Sequence, residues 1–156
     1  MSTAKKNIVS RKSKERADRI FVYGTLRKAF QHKLFNILVT DFEFIGKGFI
    51  RGNLFDVGEY PAAVTSATSE SQVLGEVYQL KGDKNMESVF RIFDKYEGYD
   101  SKKISTSEYI RKRMFVTLTN GKKKLVWVYL YNKSLNSKRM IPHGDYIKHV
   151  SKKKVV

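Results

Sequence analysis

Leu125-Val126-Trp127-Val128 is apolar at four successive positions, in a run that continues to Tyr131. A strand with one wet face alternates apolar and polar residues, so a run apolar on both faces needs cover on both. Arg19-Ile20-Phe21-Val22-Tyr23 is a second short apolar run of the kind central strands use. The chain therefore has to form a closed or covered sheet, and the rest of its pattern says how.

Phe42 to Val57 reads as strand material interrupted by Gly46, Gly48 and Gly52, which predicts bends or bulges in a curled sheet. Gly58-Glu59-Tyr60-Pro61 is a turn signal, Ala62 to Val64 a return strand, and Val73 to Leu80 the next strand. Tyr109 to Thr119 alternates, with Ile110, Met114, Val116 and Leu118 on one face, and Asn120-Gly121 predicts a two-residue hairpin into Leu125–Tyr131. Two segments have helical spacing instead. Phe30, Leu34 and Leu38 mark a short helix; Met86, Val89, Phe90, Phe93 and Tyr96 mark a longer one, for which Asp83 is the expected N-cap. From Asn132 onward the chain reads as irregular, with Pro142-His143-Gly144-Asp145-Tyr146 as its one distinctive turn. Short strands that wrap on themselves beside two short helices predict an α+β protein, a small mixed β-barrel with short helices, rather than a doubly wound sheet. The expected organisation is a basic arm over residues 1–18, one domain over 19–150 and a basic tail over 151–156.

Several function classes have no foothold. There is no cysteine, which removes disulfides, thiolate metal sites and thiol nucleophiles and fits a reducing compartment; a cytoplasmic protein is the expectation. His32, His143 and His149 are scattered without metal-ligand spacing. No apolar run reaches the ~20 residues of a membrane span, and no dinucleotide, P-loop or G-x-S-x-G motif occurs. Thirty-one Lys and Arg against fifteen Asp and Glu give a net charge of +16. That excess permits non-specific, salt-sensitive attraction to nucleic acid, but much of it sits in the arm, the tail and Lys122–Lys124, where solubility explains it equally well.

One carboxylate stands apart. Phe93-Asp94-Lys95-Tyr96-Glu97-Gly98 ends the longer helix, and glycine stops it directly after Glu97. The C-terminal end of a helix disfavours an anion and raises its pKa, which is how a carboxylate becomes a proton acceptor near neutral pH. A solvated helix-end residue is the competing reading.

Six segments, in order, decide between the two. Phe21-Val22-Tyr23-Gly24-Thr25-Leu26-Arg27, Gly52 to Pro61, Val73 to Leu80, Phe93-Asp94-x-x-Glu97-Gly98-Tyr99, Trp127 to Asn132 and Gly144-Asp145-Tyr146 together resemble the gamma-glutamylcyclotransferase-like superfamily, in its small AIG2-like branch with a Tyr-Gly-Thr-Leu motif. The resemblance implies a compact mixed barrel with one pocket that cyclises a gamma-glutamyl or gamma-glutamylamine compound, releasing 5-oxoproline and an amine without a cofactor. It implies Glu97 as the general acid and base. It implies Tyr23, Gly24, Thr25 and Leu26 as the substrate loop, Tyr146 as a substrate contact and Tyr109 as a weaker candidate for the same role. A small-molecule-binding module on the same fold, without chemistry, is the alternative.

Overall fold

The computed structural model describes residues 19–154 with the exception of Ala67. The expected arm over 1–18 lies outside those residues. Among the described residues seven strands form: β1 (Arg19–Val22), β2 (Phe42–Asp56), β3 (Pro61–Thr65), β4 (Gln72–Leu80), β5 (Tyr109–Leu118), β6 (Lys123–Tyr131) and β7 (Arg139–Ile141). Three helices accompany them: α1 (Phe35–Asp41), α2 (Met86–Glu97) and α3 (Tyr146–Lys154). β2, β4, β1, β6 and β5 lie side by side in that order, and β5 returns to β2 through Gly48–Leu118 and Phe49–Thr117, which closes a five-stranded barrel. All its pairings are antiparallel except β1 with β6, so the barrel is mixed as expected. β3 and β7 extend the far half of β2, beyond the barrel wall.

The period of two sorts side chains cleanly. Phe21 of β1, Tyr23 just after it, and Val126, Val128 and Leu130 of β6 join the interior cluster with Ile50, Val73, Val77 and Val116. Ile20 and Val22 of β1 and Tyr129 of β6 face the other way, against Met86, Val89 and Phe93 of α2. This is why Leu125–Val128 is apolar on both faces: the barrel covers one and α2 the other, with the Phe90 and Trp127 rings 5.3 Å apart. Phe93 is fully buried there, and burial of such a ring is worth about 2–3 kcal/mol. The bends expected in Phe42–Val57 appear as one long strand whose register slips between Phe44 and Gly46.

Four local expectations need correction. Asn85, not Asp83, caps α2, its side chain accepting from the Glu87 amide at 2.9 Å. Two candidate caps stood close together, and only Asn85 adjoins the first helical residue. The β5–β6 hairpin has a three-residue loop rather than a two-residue one: the Leu118 and Gly121 amides donate to the Lys122 and Leu118 carbonyls, the arrangement a glycine with positive φ permits one residue later than the two-residue form. Tyr96 is exposed rather than part of the apolar face of α2. Finally, the segment after Asn132, expected to be irregular, contains β7 and α3. The helix hides in a lysine-rich sequence, yet Asp145 caps it through the Ile147 and Lys148 amides, Tyr146 packs into the barrel core, and His149 Nε2 lies 2.8 Å from Asp56 Oδ2.

Candidate active site

The end of α2 and the end of β1 meet over one cavity of about 140 Å3. Its floor and walls come from Tyr23 to Leu26, Glu97, Tyr109 and Tyr129, and its rim from Tyr60, Tyr96 and Glu108.

The β1 side is built by a turn. The Arg27 amide donates to the Gly24 carbonyl at 3.0 Å, and Arg27 is then buried with Nε 3.0 Å from Glu76 Oε2 and Nη1 3.0 Å from Asp145 Oδ1. The other Glu76 oxygen accepts from the Lys28 amide and the Tyr78 hydroxyl. The loop is thus clamped from behind by a buried ion pair whose remaining lone pairs are occupied, the condition under which such a pair is tolerated. Gly24 is demanded by crowding: a Cβ there would sit 2.8 Å from Cγ of Pro61. The amides of Gly24, Thr25 and Leu26 have no partner among the described residues. Unpaired amides in a tight turn are ready donors to an anion.

The α2 side is built by a cap. Gly98 adopts the left-handed conformation at φ 67°, its amide donating to Lys95 and the Tyr99 amide to the Asp94 carbonyl, a closure that favours glycine. The Gly98 carbonyl then accepts from the Glu108 amide at 3.0 Å. Ser107 and Asn132 pin the intervening loop, the Ser107 hydroxyl to Asp100 and Lys103, and the Asn132 amide to Ile104 and Ser107. Glu97 and Glu108 are each one position from this hydrogen-bonded junction or part of it, so both carboxylates enter the same cavity.

Glu97 is half-buried and accepts no hydrogen bond from the described residues. Burial, and secondarily the negative charge of Glu108, pushes its pKa from 4.5 up to about 8. Tyr99, two residues after Glu97, packs away from it toward Arg111, on the outer face of the barrel. Tyr23, Tyr109 and Tyr129 surround the carboxylate instead. Burial raises the pKa of all three, and the Glu97 charge raises them further. Their hydroxyl protons are committed: Tyr23 donates to the Tyr129 carbonyl at 2.5 Å, Tyr109 to the Pro61 carbonyl at 2.7 Å and Tyr129 to Asp94 Oδ1 at 2.6 Å. At the rim, the Tyr60 hydroxyl donates to Glu108 Oε1 at 2.5 Å, and the Thr25 and Tyr96 hydroxyls meet at 3.1 Å.

Six of the seven residues singled out from sequence therefore line one cavity. Tyr146 does not. As the first residue of α3 it turns into the barrel, packs its ring 5.5 Å from Phe30 and donates to the Glu59 carbonyl at 3.2 Å. Tyr60, Glu108 and Tyr129 line the cavity without having been singled out, because only the closure of the barrel brings their elements to the end of α2. The histidines are occupied locally: His32 Nδ1 accepts from the Leu34 amide, His143 Nδ1 from Asp145, and His149 faces Asp56. Among the described residues no His, Asp or Glu cluster has metal-binding geometry, and no helix is long and apolar enough to cross a membrane.

Known proteins are similar to this chain in sequence or in fold. MJ1514, a candidate gamma-glutamylcyclotransferase of Methanocaldococcus jannaschii, is 29% identical over 81% of this chain and 93% of its own. The crystal structure of YkqA from Bacillus subtilis superposes with a TM-score of 0.64 and 25% identity over 89% of this chain, which spans 43% of YkqA. That of an AIG2-like protein from Mus musculus gives 0.63 and 22% over 84% of this chain and 88% of its own, a likeness of fold. The family model for gamma-glutamyl cyclotransferase, AIG2-like, matches residues 20–148, from β1 through the cavity to the first turn of α3, and the chain belongs to that family.

Proposed function

We propose that the cavity cyclises a gamma-glutamyl amide, releasing 5-oxoproline and an amine, with Glu97 carrying the protons. The observation that bears most weight is a carboxylate with no hydrogen-bond partner among the described residues, raised to about 8, across one cavity from three backbone amides likewise unpaired among them.

The reaction has an awkward proton inventory. The α-nitrogen enters mostly as an ammonium with a pKa near 8 and leaves as a lactam N–H, so it gives up two protons; the leaving nitrogen gains two. An ordinary glutamate, near 4.3, would accept the first proton at a cost of about 5 kcal/mol. A carboxylate at about 8 accepts it at almost none. The freed nitrogen attacks the γ-carbonyl carbon, a C–N bond forms, and the amides of the Gly24–Leu26 turn receive the oxyanion or the substrate carboxylate. Glu97 returns protons to the leaving nitrogen as the old C–N bond breaks, and no water is consumed. Because nucleophile and electrophile belong to one molecule, the enclosure mainly has to hold the folded-back conformer. Tyr23 and Tyr109, whose protons already go to backbone carbonyls, offer lone pairs to the ammonium as it binds.

The test is a panel of gamma-glutamyl amino acids, peptides and amines incubated with purified protein and assayed for 5-oxoproline, wild type beside Glu97→Gln. Release by wild type and loss of at least ~100-fold in the variant is expected for removal of a general base. Binding without product across the panel would support the non-catalytic module instead, and product from the variant at the wild-type rate would remove Glu97 from the mechanism.

A further inference from the structure

The hairpin of β5 and β6 carries charge of one sign. Tyr109 to Tyr131 holds six Lys and Arg and no Asp or Glu, and the acid-free stretch continues to Gly144. Arg111 alone of the six meets a carboxylate among the described residues, Asp94 Oδ2 at 3.5 Å. On the outer face of the hairpin these cations stand among rings. Alternate residues share a face, so Arg111, Arg113 and Phe115 point the same way, opposite Tyr129, Trp127 and Leu125. The Arg111 guanidinium lies 3.5 Å from the centre of the Phe90 ring and 5.2 Å from that of Trp127, and Arg113 lies 5.1 Å from Trp127. This stack of cations and rings is closed by α2 at one end. At the other it is open: Arg113 is exposed, Phe115 in the next row is 64% exposed, and the row after that sets Lys123 opposite Thr117.

A phenyl ring left in water with a cation in the row on either side suits a partner that is flat and negatively charged at intervals. We infer that this face binds single-stranded nucleic acid, with a base stacked on Phe115 and the neighbouring phosphates on Arg113 and Lys123. Rows on one face repeat about every 6.8 Å, which leaves room for a ring between two charges. Base stacking on an exposed ring beside basic side chains is how single strands are held without regard to sequence, and the Arg113 guanidinium plane is a second stacking surface. A duplex keeps its bases stacked on one another and offers phosphates alone. A lipid surface rewards buried apolar area, of which one ring supplies little. Residues 1–18 add charge at the same place: they carry six Lys and Arg against two acidic residues and join the barrel at Arg19, in the strand parallel to β6, where Ile20 pairs with Trp127. Being basic, they are drawn to the same strand of phosphates and not to the hairpin. The cavity lies at the other end of β1, so the inference stands apart from the cyclotransferase reading.

Fluorescence anisotropy of the full chain tests this with two labelled probes, a short oligodeoxyadenylate and an abasic oligomer of the same length and charge. Wild type should bind the oligoadenylate about 10-fold more tightly, as stacking of a base on one exposed ring allows. Phe115→Ala should bring that ratio within about 2-fold of unity while leaving the abasic affinity as it was; an unchanged abasic affinity also shows that the variant is folded. Phe115→Tyr, which keeps a ring, should keep the preference. Lys123→Gln should weaken both probes together and lower the slope of log K against log salt by about 1. Equal affinities for the two probes in wild type, binding of neither, or a preference that survives Phe115→Ala overturns the inference. Vesicles of phosphatidylcholine and phosphatidylserine complete the test: binding to them that depends on Phe115, with no preference between the two oligomers, assigns the face to a membrane surface and overturns it as well.

Discussion

Replacing Glu97 with glutamine should make the protein more stable as the pH rises, even as it removes the proposed activity. The carboxyl pKa goes from 4.5 in an unfolded chain to about 8 in the folded one, so the folded state binds its proton more tightly. Below pH 4.5 the group is protonated in both states and the folded state has its full advantage. Between 4.5 and 8 the unfolded chain ionises while the folded one does not, and stability falls by about 1.4 kcal/mol per pH unit. Above 8 the loss is complete. The full span corresponds to an upper bound of about 5 kcal/mol; because the cavity opens to solvent, roughly 2–3 kcal/mol is the realistic size. Glutamine keeps nearly the same shape and never ionises, so it escapes this loss. Thermal melts of the two proteins should coincide near pH 4.5 and separate progressively to pH 8, where the variant should melt about 5–10 °C higher for a domain of this length. A difference that stays flat between pH 5 and 9, or a variant less stable than wild type at pH 9, would refute the reasoning, because either result means that Glu97 is not held in a poorly solvated cavity.

Other substitutions separate the parts of the site. Gly24→Ala puts a methyl group 2.8 Å from Pro61 and should displace the turn, cutting kcat/KM on any turned-over compound about 10-fold or more while lowering stability by roughly 1–3 kcal/mol; steady-state kinetics and a melting curve read the two effects. Tyr109→Phe removes the bond to the Pro61 carbonyl, leaving a buried acceptor unsatisfied at a cost of about 1–3 kcal/mol, and should raise KM more than it lowers kcat. Asn85→Ala removes the α2 cap and should cost about 1 kcal/mol in denaturant unfolding without changing kcat, since it lies a full helix length from Glu97.

The fold was legible wherever burial imposes a period. Leu125–Val128 demanded cover on both faces because a central strand has no wet side, and the glycines of Phe42–Val57 announced a bent strand. α3 was not legible, because what holds it is specific rather than periodic: Tyr146 entering the barrel, His149 against Asp56 and Asp145 serving both the helix and Arg27. The same division runs through the site. Glu97 could be singled out because it ends a helix at a glycine and matches a family motif. Glu108 sits eleven positions later, and no spacing rule relates two side chains joined by an irregular loop. Barrel closure and the hydrogen bond from its amide to the Gly98 carbonyl bring the two carboxylates together.

Net charge misdirects for a related reason. At physiological salt a surface lysine is screened within about 8 Å, so +16 spread over arm, turns and tail governs encounter with polyanions and little else. Inside the cavity the spacing is shorter and the dielectric lower, and two carboxylates outweigh the distant surface: the Glu108 charge contributes to raising Glu97 despite thirty-one basic residues elsewhere in the chain.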